Sequence, residues 1–359
     1  MRFSFPWLST TLMPVLVLGS MAGQTPSAAP PVPALPKEPA KIFATAAALY
    51  DFSSPKLKPW HLKASYQIYN DKGEPSDKGT YEYWWAAPDI YRSTWLRPGM
   101  EQTDWHVGGK HYHSGIGPSL AFFERRLQSD LLTPLPTAES LDPDKIRFDR
   151  QEQDLGGVKL PCVMVIPKMP PHGQVQVAPL GMFPTFCFEK DQPMLRAYYA
   201  FGATAVVYNK VARMQGMYLP REIVIFEGKR RILTATVDSV VGIAATSPEL
   251  TPRKDATLNK YPQKIDVSGS IAQGSLMKKV NPRYPEDAKW ARIEGKVVLG
   301  ALIGTDGRIH DLSVIEGPSP SLVGAAMEAV SQWEYRPYLL NGNPVEVNTT
   351  INVIFNLGR

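Results

Sequence analysis

Along the first two thirds of the chain, apolar and polar residues alternate in short runs that are typical of β-strands. In residues 61–70 (HLKASYQIYN) the apolar positions are every second residue, and the turn sequence NDKG closes the run. Similar runs follow at GTYEYWWA, IYRSTWL, TDWHVGGKHYH, PCVMVIP, MLRAYYAF, TAVVYNKVARM and REIVIFEGKRRILTATVDSVVGI. This pattern predicts many meandering strands in one curved antiparallel sheet.

Two helical segments interrupt the alternation. One has Ile42, Ala46, Leu49 and Tyr50 at helical spacing, and the other has Leu120, Phe123, Leu127 and Leu131. The strands are rich in Trp and Tyr, whose rings could line either a compact core or an open hydrophobic cavity. We therefore predict that residues 42–243 form a curved antiparallel sheet or open barrel with one or two helices.

Near the C-terminus the pattern changes to helix, strand, turn and strand. Pro285 begins a short helix in YPEDAKWAR, with acidic residues in its first turn. The strand KVVLGALIG follows and leads into TDGR, a hairpin turn in which Asp-Gly accepts positive φ. Because Ile309 and Leu312 are three residues apart, we expect a bulge or a change of face in the second strand.

A second helix and a long strand complete this region. Ser319 is the predicted N-cap and Pro320 the first helical residue, and the apolar face then comprises Leu322, Ala325, Ala326, Ala329, Val330 and Trp333. The last strand, from Val345 to Leu357, has apolar residues at its odd positions. These elements predict a three-stranded antiparallel sheet with two helices on one face, so the fold class of the chain is α+β.

Two segments lack periodicity and divide the chain. The first, QTPSAAPPVPALPKEPAK, is rich in Pro and Ala, and the second, from Ala244 to Gln263, gains Pro, Thr and charge. We predict a tether at 23–41, a β-rich domain at 42–243, a linker at 244–263 and a C-terminal domain at 264–359. Two domains suit a length of 359 residues.

Residues 1–22 predict export. A positive start, the apolar run LMPVLVLG and the small residues around Met21 resemble a cleaved signal peptide. An uncleaved anchor is the alternative, although Pro6 and Pro14 weaken it as a helix. The expected location is the periplasm, or the inner membrane with the chain facing the periplasm.

Charge and motifs exclude several functions. The formal net charge of +5 is dispersed, with no run of five or six Lys or Arg, so we expect no nucleic-acid binding. Known nucleophile-elbow, zinc-protease, P-loop and dinucleotide fingerprints are missing, so we predict neither an enzyme nor a cofactor. His106, His111 and His113 have acceptable spacing for a metal site, but we expect no carboxylate or cysteine to complete it and predict no metal.

Cys162 and Cys187 are the two cysteines of the chain. In an exported protein they are predicted to form a disulfide, and two buried apolar thiols are the alternative.

The C-terminal region resembles the C-terminal domain of TonB-family envelope proteins from Lys264 to Leu357. The matching positions are Tyr284-Pro285, Ala288, Glu294 to Val297, Asp306-Gly307, Gly317-Pro318, Ala325-Ala326, Ala329-Val330, Trp333, Tyr335 to Pro337, Gly342 to Val345 and Ile351 to Leu357. The resemblance implies a domain without catalytic residues, which adds an extended segment of an outer-membrane receptor to its sheet edge. The expected contacts lie on the last strand, at Val345, Val347, Asn348, Thr350, Asn352 and Ile354. Tyr284, Trp290, Trp333 and Tyr335 are expected to be core and helix anchors.

The chain departs from the energy-transducing members of this family at its N-terminus. Those members have a histidine in an uncleaved anchor and a long Pro-rich stretch, whereas here the first histidine is His61 and the tether reaches only about 60 Å. Both differences put coupling to the proton-motive force through an ExbB/ExbD-type motor in doubt, and an energy transducer anchored in the inner membrane is kept as an alternative function.

The middle region resembles the open-barrel lipoprotein carriers of the LolA type, through YWWAAPDIYRSTW and LPREIVIFEGKRRILTATVDSV. Three hypotheses follow from the sequence. The first is a non-enzymatic envelope protein that binds an outer-membrane TonB-dependent receptor or another envelope protein in transport. The second is a carrier that holds a lipid in the middle domain, and the third is a metal-dependent hydrolase at the three histidines.

Overall fold

The structure of the chain is a computed structural model. It describes residues 32–70, 72–117, 120, 122–136, 141–168, 183–199, 204–227, 230–258 and 264–358. The predicted signal peptide or anchor and residues 23–31 of the predicted tether lie outside these residues. No helix within them is long and apolar enough to cross a membrane.

One large, curved and unclosed antiparallel sheet dominates the middle of the chain. Its elements, with two helices and a separate ribbon, are α1 (Pro39–Ala47), β1 (Trp60–Tyr69), β2 (Pro75–Ala87), β3 (Ile90–Arg97), β4 (Met100–Val107), β5 (Lys110–Ile116), α2 (Phe122–Leu132), β6 (Ile146–Leu155), β7 (Val158–Pro167), β8 (Thr185–Phe188), β9 (Leu195–Tyr199), β10 (Thr204–Asn209), β11 (Ala212–Met214), β12 (Met217–Leu219), β13 (Glu222–Glu227), β14 (Arg230–Gly242) and β15 (Thr257–Leu258). The strand order is β15-β5-β4-β3-β2-β1-β14-β13-β10-β9-β8-β7-β6, while β11 and β12 pair with each other.

The alternation of β1 decides which face of the sheet is buried. Leu62, Ala64 and Tyr66 are buried together with α1 and α2, whereas Lys63 and Ser65 face outward. Burial of one face by helices is what a strand with period-two alternation requires.

The C-terminal region contains the predicted sheet and helices with additions. Its elements are β16 (Lys264–Asp266), α3 (Gly269–Gly274), β17 (Leu276–Lys278), α4 (Glu286–Trp290), β18 (Gly295–Ile303), β19 (Ile309–Glu316), α5 (Pro320–Val330), β20 (Glu334–Tyr335), β21 (Tyr338–Leu340) and β22 (Asn343–Phe355). The strands β19, β18 and β22 are antiparallel, as predicted. β16 adds a parallel strand beside β22, and β21 forms a hairpin with the start of β22.

Local sequence signals explain the ends of these elements. The Ser319 side chain accepts a hydrogen bond from the Leu322 N–H at 3.3 Å, and Pro320 starts α5. Gly307 has φ +77°, and a Cβ there would lie 1.9 Å from the Tyr335 carbonyl oxygen, so the turn requires glycine. The predicted bulge in β19 is confirmed, because Leu302 pairs with Asp311 and Ile303 with Ile309.

One of the expected core anchors is wrong. Trp333 and Tyr335 are buried, and the Tyr284 ring packs edge-on against Phe355, but Trp290 is 87% exposed. α4 ends at Trp290, whose ring falls on the side of this short helix away from the core alanine Ala288.

The segments predicted as connections are partly attached to the sheet. Within residues 244–263, the segment predicted as a linker, Leu250 is buried and β15 pairs with β5. The Trp105 Nε1–H also donates a hydrogen bond to the Glu249 carbonyl at 3.0 Å. The core of the C-terminal sheet also includes Met164 and Phe183 from the preceding region. The domain boundaries themselves stay predictions.

Candidate functional site

The last strand, β22, has one buried and one open face. Its odd-numbered residues from Val345 to Phe355 are buried, four of them in the same core cluster as the apolar residues of α5, whereas Thr350, Asn352 and Ile354 are exposed. This alternation is the one that the sequence predicts.

The two edges of β22 have different neighbours. On one side β18 pairs with residues 347–355 in continuous antiparallel register. On the other side β21 pairs with 343–345 and β16 with 346–348. Among the described strands, none pairs with residues 350–355 on that second side.

The direction of the main-chain groups follows from one hydrogen bond. The Val267 N–H donates to the Asn348 carbonyl at 2.8 Å, so Asn348 directs its main-chain groups away from β18. Successive residues of a strand point these groups to opposite sides. Asn352 and Ile354 therefore present N–H and C=O groups on the open part of the edge.

The structure separates the residues predicted to contact a partner. Val345 and Val347 are buried core residues, and Val345 pairs with Tyr338 in the hairpin. Asn348 pairs with Asp266 in β16, while Thr350 lies against Gly269. The remaining two residues are exposed and occupy the open part of the edge, at Asn352 and Ile354.

A shallow groove lies beside the part of β22 that pairs with β16, on the face of the sheet opposite α5. It has a volume of about 530 Å³, and residues from β16, β18, β19 and β22 line it. Ile315 and Ile354 are exposed on the same face by 55% and 66%. Side chains of an added strand would therefore meet both apolar and amide groups there.

The start of β22 is tied to α2 of the preceding region. The Arg125 Nε lies 3.4 Å from the Glu346 carboxylate, and the same guanidinium contacts the His310 ring. His310 in turn lies 2.8 Å from the Asp306 carboxylate. Burial opposes ionisation of Asp306, but hydrogen bonds from His310 and the Arg308 N–H lower its pKa to about 2.

The three histidines considered for a metal are organised by a carboxylate that sequence reasoning missed. Asp104 Oδ1 lies 2.9 Å from His113 Nδ1 and 3.4 Å from His111 Nε2, while the His106 ring stacks on Tyr91. Asp104 lies beside these histidines because β4 and β5 pair it with His113.

Asp104 and His113 form an ion pair. Its hydrogen bond with Asp104 raises the pKa of His113. Burial would raise the pKa of Asp104, but the two histidines together lower it. Within the described ranges, no group of three or more His, Cys, Asp or Glu side chains is arranged to hold a metal.

The inner face of the large sheet is filled by aromatic side chains. Trp60, Trp85, Trp95 and Tyr81 are at most 2% exposed, and they pack in one cluster with α1 and α2. A cavity of about 780 Å³ lies elsewhere and is lined mainly by outward-facing polar residues such as Lys78 and Thr236. The aromatic faces thus form a core, which favours the first of the two interpretations.

A disulfide joins Cys162 on β7 to Cys187 on β8. The two residues are directly opposed in the sheet and fully buried. The bond closes a chain segment that includes residues 169–182, which lie outside the described residues.

Comparison with known proteins locates one clear relationship. Residues 280–357 match the family model of the Gram-negative bacterial TonB protein C-terminal. Protein TonB of Vibrio cholerae serotype O1 (strain ATCC 39315 / El Tor Inaba N16961) is 33% identical over 79 residues, which are 22% of this chain and 32% of that protein. The chain thus spans about a third of the length of this relative. The match confirms the resemblance to the TonB C-terminal domain, and residues 264–279 precede the matched range.

Solved structures show likenesses over more than half of the chain. A LolA superfamily protein from Nitrosomonas europaea has 8% identity and a TM-score of 0.38, and covers 59% of this chain and 97% of its own. A DUF1329 family protein from Desulfovibrio piger ATCC 29098 has 11% identity and a TM-score of 0.35, and covers 56% of this chain and 90% of its own.

Proposed function

We propose that this chain is a non-enzymatic protein of the cell envelope that captures an extended segment of an outer-membrane partner. The capture site is the open part of the β22 edge at Asn352 and Ile354. The observation that carries the proposal is the exposed stretch of edge within a region that matches the TonB C-terminal domain.

The physical basis of capture is strand addition. Main-chain groups of the partner satisfy the outward N–H and C=O groups of β22, and its alternate side chains meet the two faces of the sheet. On the open face they contact the exposed side chain of Ile354. Sheets often carry lysine or proline on an edge strand to prevent pairing with another chain. Residues 350–355 contain neither.

The proposed partner is a TonB-dependent receptor or another protein of the outer membrane, and the proposed process is transport across that membrane. The proposed location is the periplasm, or the periplasmic side of the inner membrane.

Site-specific cross-linking in cells tests the proposal. A photoreactive amino acid replaces Ile354 in one variant and Met277 in a control. The two side chains are 66% and 69% exposed, but Met277 lies on β17, which pairs with β20. We expect an outer-membrane protein to be cross-linked from position 354 alone. Identical products from both positions, or no envelope protein from either, would contradict the proposal.

A further inference from the structure

The capture edge of β22 is partly occupied by the chain itself. β16 runs parallel to β22, with Lys264 opposite Glu346 and Asp266 opposite Asn348. Beyond β16, the Val267 N–H donates to the Asn348 carbonyl at 2.8 Å. The segment 264–267 therefore uses main-chain groups that a captured strand would use.

Gly269 covers the next outward-facing position of the β22 edge, at Thr350. A Cβ at Gly269 would lie 2.3 Å from the Thr350 carbonyl oxygen, so only glycine fits this close against the edge. Past Thr350 the segment turns into α3, whose Ala272 is buried in the core of the C-terminal sheet. The edge is thus divided between an occupied half and an open half.

The contacts that hold β16 are few. Lys264 and Asp266 are exposed, and Ile265 and Val267 are only partly buried. Ile265 and Val267 pack against the edge of the C-terminal core, and an exposed hydrogen bond of 3.1 Å runs from Asn348 Nδ2 to Asp266 Oδ1. A strand held in this way opens without unfolding of the sheet.

The position of β16 in the chain makes it an addition to the matched domain. It precedes residues 280–357, which match the TonB C-terminal model, and it follows the segment predicted as a linker. A tethered segment of this kind acts at an effective concentration of about 1 mM, which is enough to compete with a weakly bound external strand.

We propose that residues 264–269 are an internal competitor for the capture edge, which a partner segment displaces in order to pair along the full length from Glu346 to Ile354. This inference rests on the proposed function. The internal segment also specifies the chemistry of the partner. The partner segment is a strand that runs parallel to β22, with apolar residues where the chain has Ile265 and Val267 and a polar residue between them.

A cysteine pair that locks β16 in place tests the competition. Asp266→Cys combined with Asn348→Cys places thiols at opposed positions whose native side chains already touch. Oxidation fixes β16 on the edge and reduction releases it. Asp266→Cys alone, under the same two conditions, controls for the substitution and for effects on the native disulfide.

Two readouts in the full chain decide the outcome. In the wild-type protein we expect the Val267 amide to exchange with solvent at least about 100-fold faster than the Val353 amide, which faces β18. In the oxidised double variant, carrying the photoreactive residue at 354, we expect the capture product to fall at least about tenfold, and to return on reduction.

The opposite results overturn the inference. If Val267 exchanges as slowly as Val353, the internal strand does not release. If the oxidised variant captures as much partner as the wild type, the strand does not compete. Loss of the capture product in every form, including the wild type, counts against the proposed function instead, while the exchange rates still decide whether β16 opens.

Discussion

Replacement of Asn352 by proline separates the capture role of the β22 edge from its role in folding. Asn352 is exposed, and its N–H points to the open side of the strand, where no described strand pairs with it. Proline is tolerated at such an edge because the missing donor has no partner in the free protein. We expect the free energy of unfolding to change by less than about 1 kcal/mol.

The effect on capture is larger than the effect on stability. In the complex, the N–H of Asn352 would donate to a carbonyl of the added strand. Its loss leaves a buried carbonyl unsatisfied, at a cost of about 1–3 kcal/mol, or roughly 5- to 150-fold in affinity. Asn352→Ala keeps the N–H and serves as the matched control. Ile351→Pro removes a donor that faces β18, so it should lower the free energy of unfolding by more than Asn352→Pro does.

The assay combines chemical denaturation with capture. The stability of each variant is measured in urea, and capture is measured as the yield of the cross-link from position 354 in the same background. The expected result is a stable Asn352→Pro protein with strongly reduced capture beside a normal Asn352→Ala protein. Wild-type capture by a stable Asn352→Pro variant would refute the assignment of this edge.

Three further predictions concern the scaffold. Replacing Cys162 and Cys187 together by Ala should lower the free energy of unfolding by about 3.5 kcal/mol, because the disulfide closes a loop of 25 residues in the unfolded chain. Chemical denaturation measures this free energy, and an unchanged value would contradict the prediction. Trp333→Ala should cost about 3–5 kcal/mol, while the exposed Trp290 tolerates the same change within about 0.5 kcal/mol, and equal losses would contradict their assigned burial. The ion pair with Asp104 raises the pKa of His113 above its unfolded value, so the stability it contributes is present below pH 6.5 and is lost as the pH rises through the folded pKa. The difference in melting temperature between the wild type and His113→Gln should therefore shrink between pH 5.5 and 8. A constant difference would contradict this prediction.

Local patterns in the sequence predict most of the C-terminal fold. Ser319-Pro320, the alternation of residues 345–357 and the irregular spacing of Ile309 and Leu312 each depend on neighbouring residues only. These signals depend on hydrogen bonds and packing within one element, so a single sequence contains them.

Features that depend on distant pairing escape such reasoning. The contact of Asp104 with His113 exists because two strands meet in one register, and the short alternation Ile265-Val267 gives no sign of which strand it joins. The prediction that Trp290 is a core anchor was wrong for a related reason. A five-residue helix is too short for its periodicity to show which face an aromatic residue at its end occupies. An alternating segment before the matched domain was the available signal for β16.

Contacts between α2 and the C-terminal region hold the start of β22 in place. Arg125 of α2 contacts both Glu346 and His310, at the occupied end of β22. Asn352 and Ile354 lie six and eight residues beyond Glu346 along the strand, so the open part of the edge is about 20 to 26 Å from this contact. The large sheet thus holds one end of the strand and leaves the other end accessible.

Amide hydrogen exchange of β22, measured with and without the captured partner, tests the central claim most directly. Strand addition predicts that the amides of Asn352 and Ile354 exchange freely in the isolated chain and become strongly protected in the complex, while Val353, already paired with β18, changes little. A stable complex in which the amides of Asn352 and Ile354 stay as exposed as in the free chain would contradict the account.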